Sequence, residues 1–211
     1  MNYLEELKNA IIDVQPKKAE EMTQALLNEG ADAQLILKQA LIPGMDEVGR
    51  LFKEGEYFVP EVLVAAKAMN ASLNLVEPLL VQGNVPRMGK VVAGTIEGDL
   101  HDIGKNLVCM MLKGAGYTVV DLGVDVTAEQ FVQAVQKEKP DFVAISALLT
   151  STMMNIPTVI QSLQQQGLRD QVKVLVGGAP LTKEYADEIG ADGYAMDASD
   201  AVGLVRQLGT T

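Results

Sequence analysis

The sequence predicts two architectures in series: an antiparallel four-helix bundle, then a doubly wound five-stranded parallel α/β sheet. Three observations predict it. Residues 1–82 place apolar side chains at steps of three and four between Pro and Gly breakers. The stretch Gln82-Gly83-Asn84-Val85-Pro86-Arg87 is polar and carries both breakers, which marks a boundary. Beyond it, short apolar runs alternate with amphipathic stretches, the pattern of repeated β/α units. The expected domains are therefore 1–82, a linker at 83–88, and 89–211.

The helices follow in order. Leu4, Leu7 and Ile11 share one helical face. Pro16 suits the first turn of a second helix, with Ala19, Met22 and Leu26 inward. Gly30 ends it, and Asp32 can cap a third helix through its side-chain oxygen. That helix sets Leu37, Leu41, Met45, Val48 and Phe52 along one side, with Pro43 expected to kink or divide it. Gly55 closes it. Pro60 opens a long fourth helix bearing Val62, Ala66, Met69, Leu73, Val76 and Leu80, with Pro78 expected to bend its last turn. Short links between four such helices predict the bundle.

Five strands are expected after the linker, near Val91–Ile96, Tyr117–Leu122, Phe142–Ser146, Val172–Val176 and Gly193–Met196. Helices fit between and after them, near Ile103–Lys113, Ala128–Lys137, Met153–Gln166, Lys183–Ile189 and Ala198–Leu208. The first strand is apolar without alternation, as a strand buried on both faces must be. Right-handed crossovers then give a parallel sheet whose carboxyl edge is the place for a ligand.

Composition narrows the function. The chain has 211 residues, 48% of them hydrophobic, enough for real cores. No apolar run approaches the about 20 residues of a membrane span. Met1 to Ala10 is charged and helical in pattern, unlike a signal peptide. One cysteine, Cys109, leaves no internal disulfide, and the expected setting is the cytoplasm. A net charge of −11 argues against nucleic acid, whose binding relies on basic contacts to phosphate.

The chain holds a single histidine, His101, in Gly98-Asp99-Leu100-His101-Asp102-Ile103-Gly104, on the loop leaving the first strand. A lone loop histidine is most often a surface or packing residue. Here Asp99 stands two residues before it, where its carboxylate can accept the proton of one ring nitrogen and leave the other free for a metal. Gly98 and Gly104 clear side chains on both sides. One histidine cannot make a zinc or iron site alone. A metal already held in a macrocycle, with one vacant position, is the better match. Ser146 to Thr152 and Gly177-Gly178 fall at the same carboxyl edge, after strands three and four.

Asp99-x-His101-x-x-Gly104, Ser146-Ala147-Leu148 and Gly177-Gly178, in that order, resemble the cobalamin-binding signature of the methionine synthase family. In length and order the chain is similar to the small corrinoid proteins of anaerobic methyltransferase systems. The resemblance implies flavodoxin-like (Rossmann-type) strand order 2-1-3-4-5. It implies cobalamin (methylcobalamin or a related corrinoid) bound with its own base displaced and His101 as the lower ligand to cobalt. Asp99 and Thr152 would extend a hydrogen-bonded chain from His101, threonine standing where serine is usual. Gly98, Asp102, Ile103 and Gly104 belong to the histidine motif. Ser146 and Thr150 would make polar contacts to the displaced nucleotide tail, Leu148 would contact the cofactor as part of the signature after strand three, and Ala198 would add a backbone contact. Gly94, Gly177, Gly178 and Ala179 would give the tail room.

The stretch Gly44 to Phe52 through Tyr57-Phe58-Val59-Pro60 is similar to the helical cap of the methionine synthase module. By that likeness Phe52 and Val59 would cover the reactive face of the corrin as a dry lid. The polar contact that the family can make just before this motif falls near Lys38, a departure. The resemblance implies a methyl carrier, not a complete enzyme, serving three partners: a substrate:corrinoid methyltransferase, a corrinoid:thiol or corrinoid:tetrahydropterin methyltransferase, and a reductive activase. The bundle would move about Gly83 to Pro86. Two alternatives share the motif: a cobalamin-dependent isomerase subunit, against which the helical cap argues, and a cobalamin sensor, which needs a DNA-binding segment. A phosphoacceptor receiver would need an aspartate where Ser146 stands, and a dinucleotide enzyme a Gly-x-Gly-x-x-Gly after strand one.

Overall fold

A computed structural model describes residues 3–82 and 88–209. The expected linker residues 83–87, and with them the expected hinge, lie outside the described residues. Chain contacts divide the molecule into a helical unit and an α/β unit that begins at Met88.

The helical unit contains α1 (Tyr3–Ile12), α2 (Pro16–Asn28), α3 (Ala33–Ile36), α4 (Ile42–Lys53) and α5 (Val59–Gln82). Pro16 opens α2 at its first turn, and Asp32 caps α3 by accepting from the Gln34 N–H at 2.9 Å. Between α3 and α4, Leu37–Leu41 forms a π-helical turn. Pro43 has no N–H to give and would press on a carbonyl four residues back, and the wider turn relieves that clash. The third helix is thus one run of three segments. Leu41, Met45 and Val48 of its expected stripe are buried; Leu37 and Phe52 are half-buried, and Ile36, Ala40 and Leu51 complete the buried side. Pro78 sits inside α5 without ending it. One polar pair is buried among the helices: the hydroxyls of Thr23 and Ser72 lie 2.9 Å apart, with Thr23 also reaching the Ala19 carbonyl. Tyr57 donates its hydroxyl to the Ile12 carbonyl at 2.7 Å and ties the turn before α5 to the end of α1.

The α/β unit carries β1 (Lys90–Thr95), α6 (Ile103–Gly114), β2 (Thr118–Asp121), α7 (Ala128–Glu138), β3 (Phe142–Ser146), α8 (Thr150–Met153), α9 (Ile156–Gln165), β4 (Lys173–Gly177), α10 (Lys183–Glu188), β5 (Gly193–Ala195) and α11 (Ala198–Gly209). All strand pairs are parallel, in the order β2-β1-β3-β4-β5. Every residue of β1 after Lys90 is buried, as a central parallel strand requires. Thr127 and Gln130 form a reciprocal capping box at the start of α7.

One expected helix divides. The stretch near Met153–Gln166 is α8 and α9, with Met154 and Asn155 between them, because Pro157 has no N–H to continue the first helix and suits the first turn of a fresh one. Gly94 also differs from its expected role. A Cβ there would stand 2.9 Å from the Phe131 ring and 3.1 Å from Val126, so the space belongs to Phe131, which is fully buried. Gly94 is a packing glycine, not an opening.

Candidate functional site

The carboxyl edge of the sheet is set by register. Thr95, Ser146, Gly177 and Ala195 lie side by side across β1, β3, β4 and β5. Each loop that follows therefore leaves the sheet at one level. Ser146 is half-buried, Leu148 and Thr150 are exposed, and Ala198 is the buried first residue of α11.

At the centre stands Asp99, fully buried. Its Oδ1 lies 2.7 Å from His101 Nδ1 and accepts the His101 N–H at 3.1 Å. Its Oδ2 accepts the Leu148 N–H at 2.7 Å, the Leu149 N–H at 3.3 Å and the Thr152 hydroxyl at 2.7 Å. Burial pushes this carboxyl up, but the hydrogen bonds from Leu148, Thr152 and His101 outweigh it and hold it well below the usual carboxylate range. An ionised Asp99 can only accept. The proton between the two side chains therefore sits on Nδ1, so that in the neutral ring the lone pair lies on Nε2. The His101 side chain is about half exposed, and Nε2 has no hydrogen-bond partner among the described residues.

The donor chemistry tests what this lone pair could hold. No group of three or more His, Cys, Asp or Glu side chains is placed to bind a metal ion among the described residues. One imidazole fits a metal whose other positions are already filled. The surroundings fit a large, partly apolar guest: Leu100 and Ile103 beside His101, Leu148 and Leu149 after β3, and Met196 after β5 are all exposed. Single exposed apolar residues mean little, but five at one sheet edge are unusual for a water-facing surface.

The other expected residues divide into three kinds. Gly98 has φ +83°, and Gly104 faces open space, so both leave backbone accessible. Gly177 and Gly178 are explained by the fold itself. A Cβ on Gly177 would lie 2.9 Å from the Ala195 carbonyl oxygen, and one on Gly178 1.8 Å from that of Ala147. The Asp102 carboxylate is engaged by the Asn106 side-chain amide at 3.0 Å. Phe52 and Val59 belong to the helical unit, at the end of α4 and the start of α5, and both are half-buried.

Several residues that hold the loop were not singled out from the sequence. The Thr95 hydroxyl donates to the His101 carbonyl at 2.9 Å, and the Asn155 amide to the Glu97 carbonyl at 3.1 Å. Asp125 accepts the Gly98 N–H at 2.7 Å. Lys105, buried in the first turn of α6, bonds both oxygens of Asp121 at 2.6 Å. A buried threonine at a strand end and a charged residue in an apolar helix turn were the available signals.

Comparisons with known proteins show the family. The B12 binding domain family matches residues 89–203, and a second B12 binding domain family matches residues 3–77. A corrinoid protein of Desulfitobacterium hafniense is 44% identical over 211 residues, covering 99% of this chain and 98% of that protein. The trimethylamine corrinoid protein of Methanosarcina barkeri is 45% identical over 201 residues, covering 94% and 93%. The crystal structure of the methanol:cobalamin methyltransferase complex MtaBC from Methanosarcina barkeri superposes with a TM-score of 0.88 at 33% identity, covering 99% of this chain and 80% of that one.

Proposed function

Because the chain belongs to the B12-binding corrinoid proteins of methylamine and methanol methyltransferase systems, we propose that it carries a methyl group on cobalamin with His101 as the lower ligand to cobalt and the cofactor's own base displaced. The observation that supports this most is the locked imidazole: Nδ1 on the Asp99 carboxylate at 2.7 Å, Nε2 without a partner among the described residues.

When bound, cobalamin supplies a cobalt centre that can take up a methyl group and release it. The chain's own residues do the rest. His101 presents Nε2 from the loop after β1. Asp99 holds the ring in one tautomer and raises its basicity as a ligand. Thr152, with the amides of Leu148 and Leu149, fixes the far oxygen of Asp99, so the ring cannot swing by rotation of that carboxylate. Nδ1 already holds the proton it shares with Asp99, so a proton taken up by the free ring would enter at Nε2. Gly98 and Gly104 let the guest approach the backbone, Ser146 and Thr150 offer hydroxyls to its nucleotide tail, and Gly177, Gly178 and Ala198 line the edge beyond. Phe52 and Val59 would exclude water from the reactive face.

The donor would be a methylamine or methanol, held on a partner methyltransferase, since relatives bear trimethylamine and dimethylamine in their names and one solved relative is a methanol:cobalamin methyltransferase complex. A second methyltransferase would remove the methyl group to a thiol or tetrahydropterin, and a reductive activase would restore cobalt after oxidation. The test is the absorption spectrum of the protein with hydroxocobalamin. A histidine-bound, base-displaced spectrum is expected for the natural chain and its loss in His101→Ala. An identical spectrum in both removes His101 from the cobalt.

A further inference from the structure

The loop between β2 and α7 runs on alongside β1 after β2 has ended. Leu122 N–H bonds the Ala93 carbonyl at 2.8 Å, Thr95 N–H bonds the Gly123 carbonyl at 3.0 Å, and Val126 N–H bonds the Thr95 carbonyl at 2.9 Å. Ile96 and Val126 form an isolated parallel bridge. Asp125 is therefore held by its own neighbours before it touches the loop that carries His101.

What Asp125 does there is two-sided. Its Oδ1 accepts the Gly98 N–H at 2.7 Å, and its own N–H donates to the Asp99 carbonyl at 3.0 Å. The two bonds close on the one residue step that leads into Asp99. Asp125 adopts φ +55°, a left-handed conformation that glycine takes at no cost. Gly123, in the same loop, shows what the chain uses where only the backbone matters: φ +86° and nothing within reach of a Cβ. A carboxylate at Asp125 thus needs a reason beyond the turn, and the Gly98 amide supplies one. Aspartate is among the few residues that tolerate this conformation and offer a charged acceptor.

We infer that Asp125 is a positioning residue for the Asp99–His101 pair, setting the backbone from which His101 reaches its ligand. This rests on the proposed ligation by His101 and deepens it. Asp99 itself is fixed from above by Thr152, Leu148 and Leu149. Without Asp125, the Gly98–Asp99 backbone has φ freedom at Gly98 and no side chain to restrict it. The carboxylate would stay and the imbalance would appear in where Nδ1 is held.

The experiment compares the natural chain with Asp125→Gly, Asp125→Asn and His101→Ala, each saturated with hydroxocobalamin and read by absorption. Asp125→Gly keeps the left-handed turn and removes only the acceptor, so it folds. Loss of one charge-assisted bond should lower the ratio of histidine-bound to histidine-free cobalamin about tenfold. Asp125→Asn keeps both the turn and an acceptor oxygen and should restore most of the natural ratio. Without cofactor, amide exchange at Gly98 should speed up in Asp125→Gly and not in Asp125→Asn. A purely structural role would lower the melting midpoint and leave the saturated spectrum alone. If His101→Ala changes the spectrum and Asp125→Gly does not, the positioning role is overturned and the ligation stands. If the natural chain and His101→Ala give one spectrum, the ligation fails and the positioning role with it.

Discussion

Thr152 donates its hydroxyl at 2.7 Å to the Asp99 oxygen opposite the one that holds the His101 ring. The buried carboxylate is thus a bridge between the loops leaving β1 and β3. Thr152→Val keeps the shape and removes the donor, leaving Oδ2 to two amides. A loss of about 1–3 kcal/mol is expected in urea unfolding. Thr152→Ser keeps the hydroxyl and should recover most of it. Equal stability of the valine variant and the natural chain would show that the bond carries nothing.

The same carboxylate predicts a pH dependence in the cofactor-free protein. Its folded pKa is depressed, so its contribution is fully present above the unfolded value of about 4 and is lost as pH falls below it toward the folded value. The unfolded chain binds the proton first, which is why acid destabilises. Asp99→Asn cannot titrate. The difference in melting midpoint between the natural chain and Asp99→Asn should therefore be largest at neutral pH and shrink below about pH 4. A constant difference from pH 7 to pH 3 would contradict the assignment.

Lys105 offers a test of how the helix after the histidine is anchored. Its side chain is buried and bonds both oxygens of Asp121, at the end of β2, and the Asn106 side chain at 2.7 Å. Lys105→Met fills the same space without the charge and leaves Asp121 with only the Gly123 N–H that the structure gives it. Because Asp121 is about one-third exposed, water takes up part of the loss, and about 1–3 kcal/mol is expected. Asp121→Asn, which leaves the buried ammonium without its counter-charge, should cost more. Denaturant midpoints decide the order.

Much of the architecture was legible because periodicity and breakers act locally. Pro16, Asp32 and the unbroken apolar run of β1 do in three dimensions what their chemistry requires. The division at Pro157 and the π-turn before Pro43 depend on which neighbouring carbonyl gives way, and periodicity carries no record of that. At the site, the Asp99–His101 spacing was readable because two residues apart is a local geometry. Asp125 and Asn155 were not, because each meets the loop across the sheet edge and no pattern in sequence spacing encodes the register that brings it there. Gly94 misled for a related reason: small size reads alike whether the vacated space goes to a ligand or to Phe131.

Two glycines separate fold from function. A Cβ on Gly178 would meet the Ala147 carbonyl oxygen at 1.8 Å, and its φ of +131° is one that other residues rarely adopt. Gly178→Ala must therefore displace backbone between β3 and β4, and a loss of more than about 3 kcal/mol, with or without cofactor, is expected. Gly104 is the opposite case. It lies in the first turn of α6, has no atom within reach of a Cβ, and sits three residues from His101. Alanine there removes the unfolded chain's extra freedom and should stabilise the cofactor-free protein by a few tenths to about 1 kcal/mol. The same methyl would stand in the open space where the guest is to lie, so cobalamin should bind less tightly. A variant that melts higher alone but gains less from added cobalamin meets both expectations. If Gly104→Ala melts higher and takes up cobalamin as the natural chain does, the ligand does not approach the backbone on this side of His101.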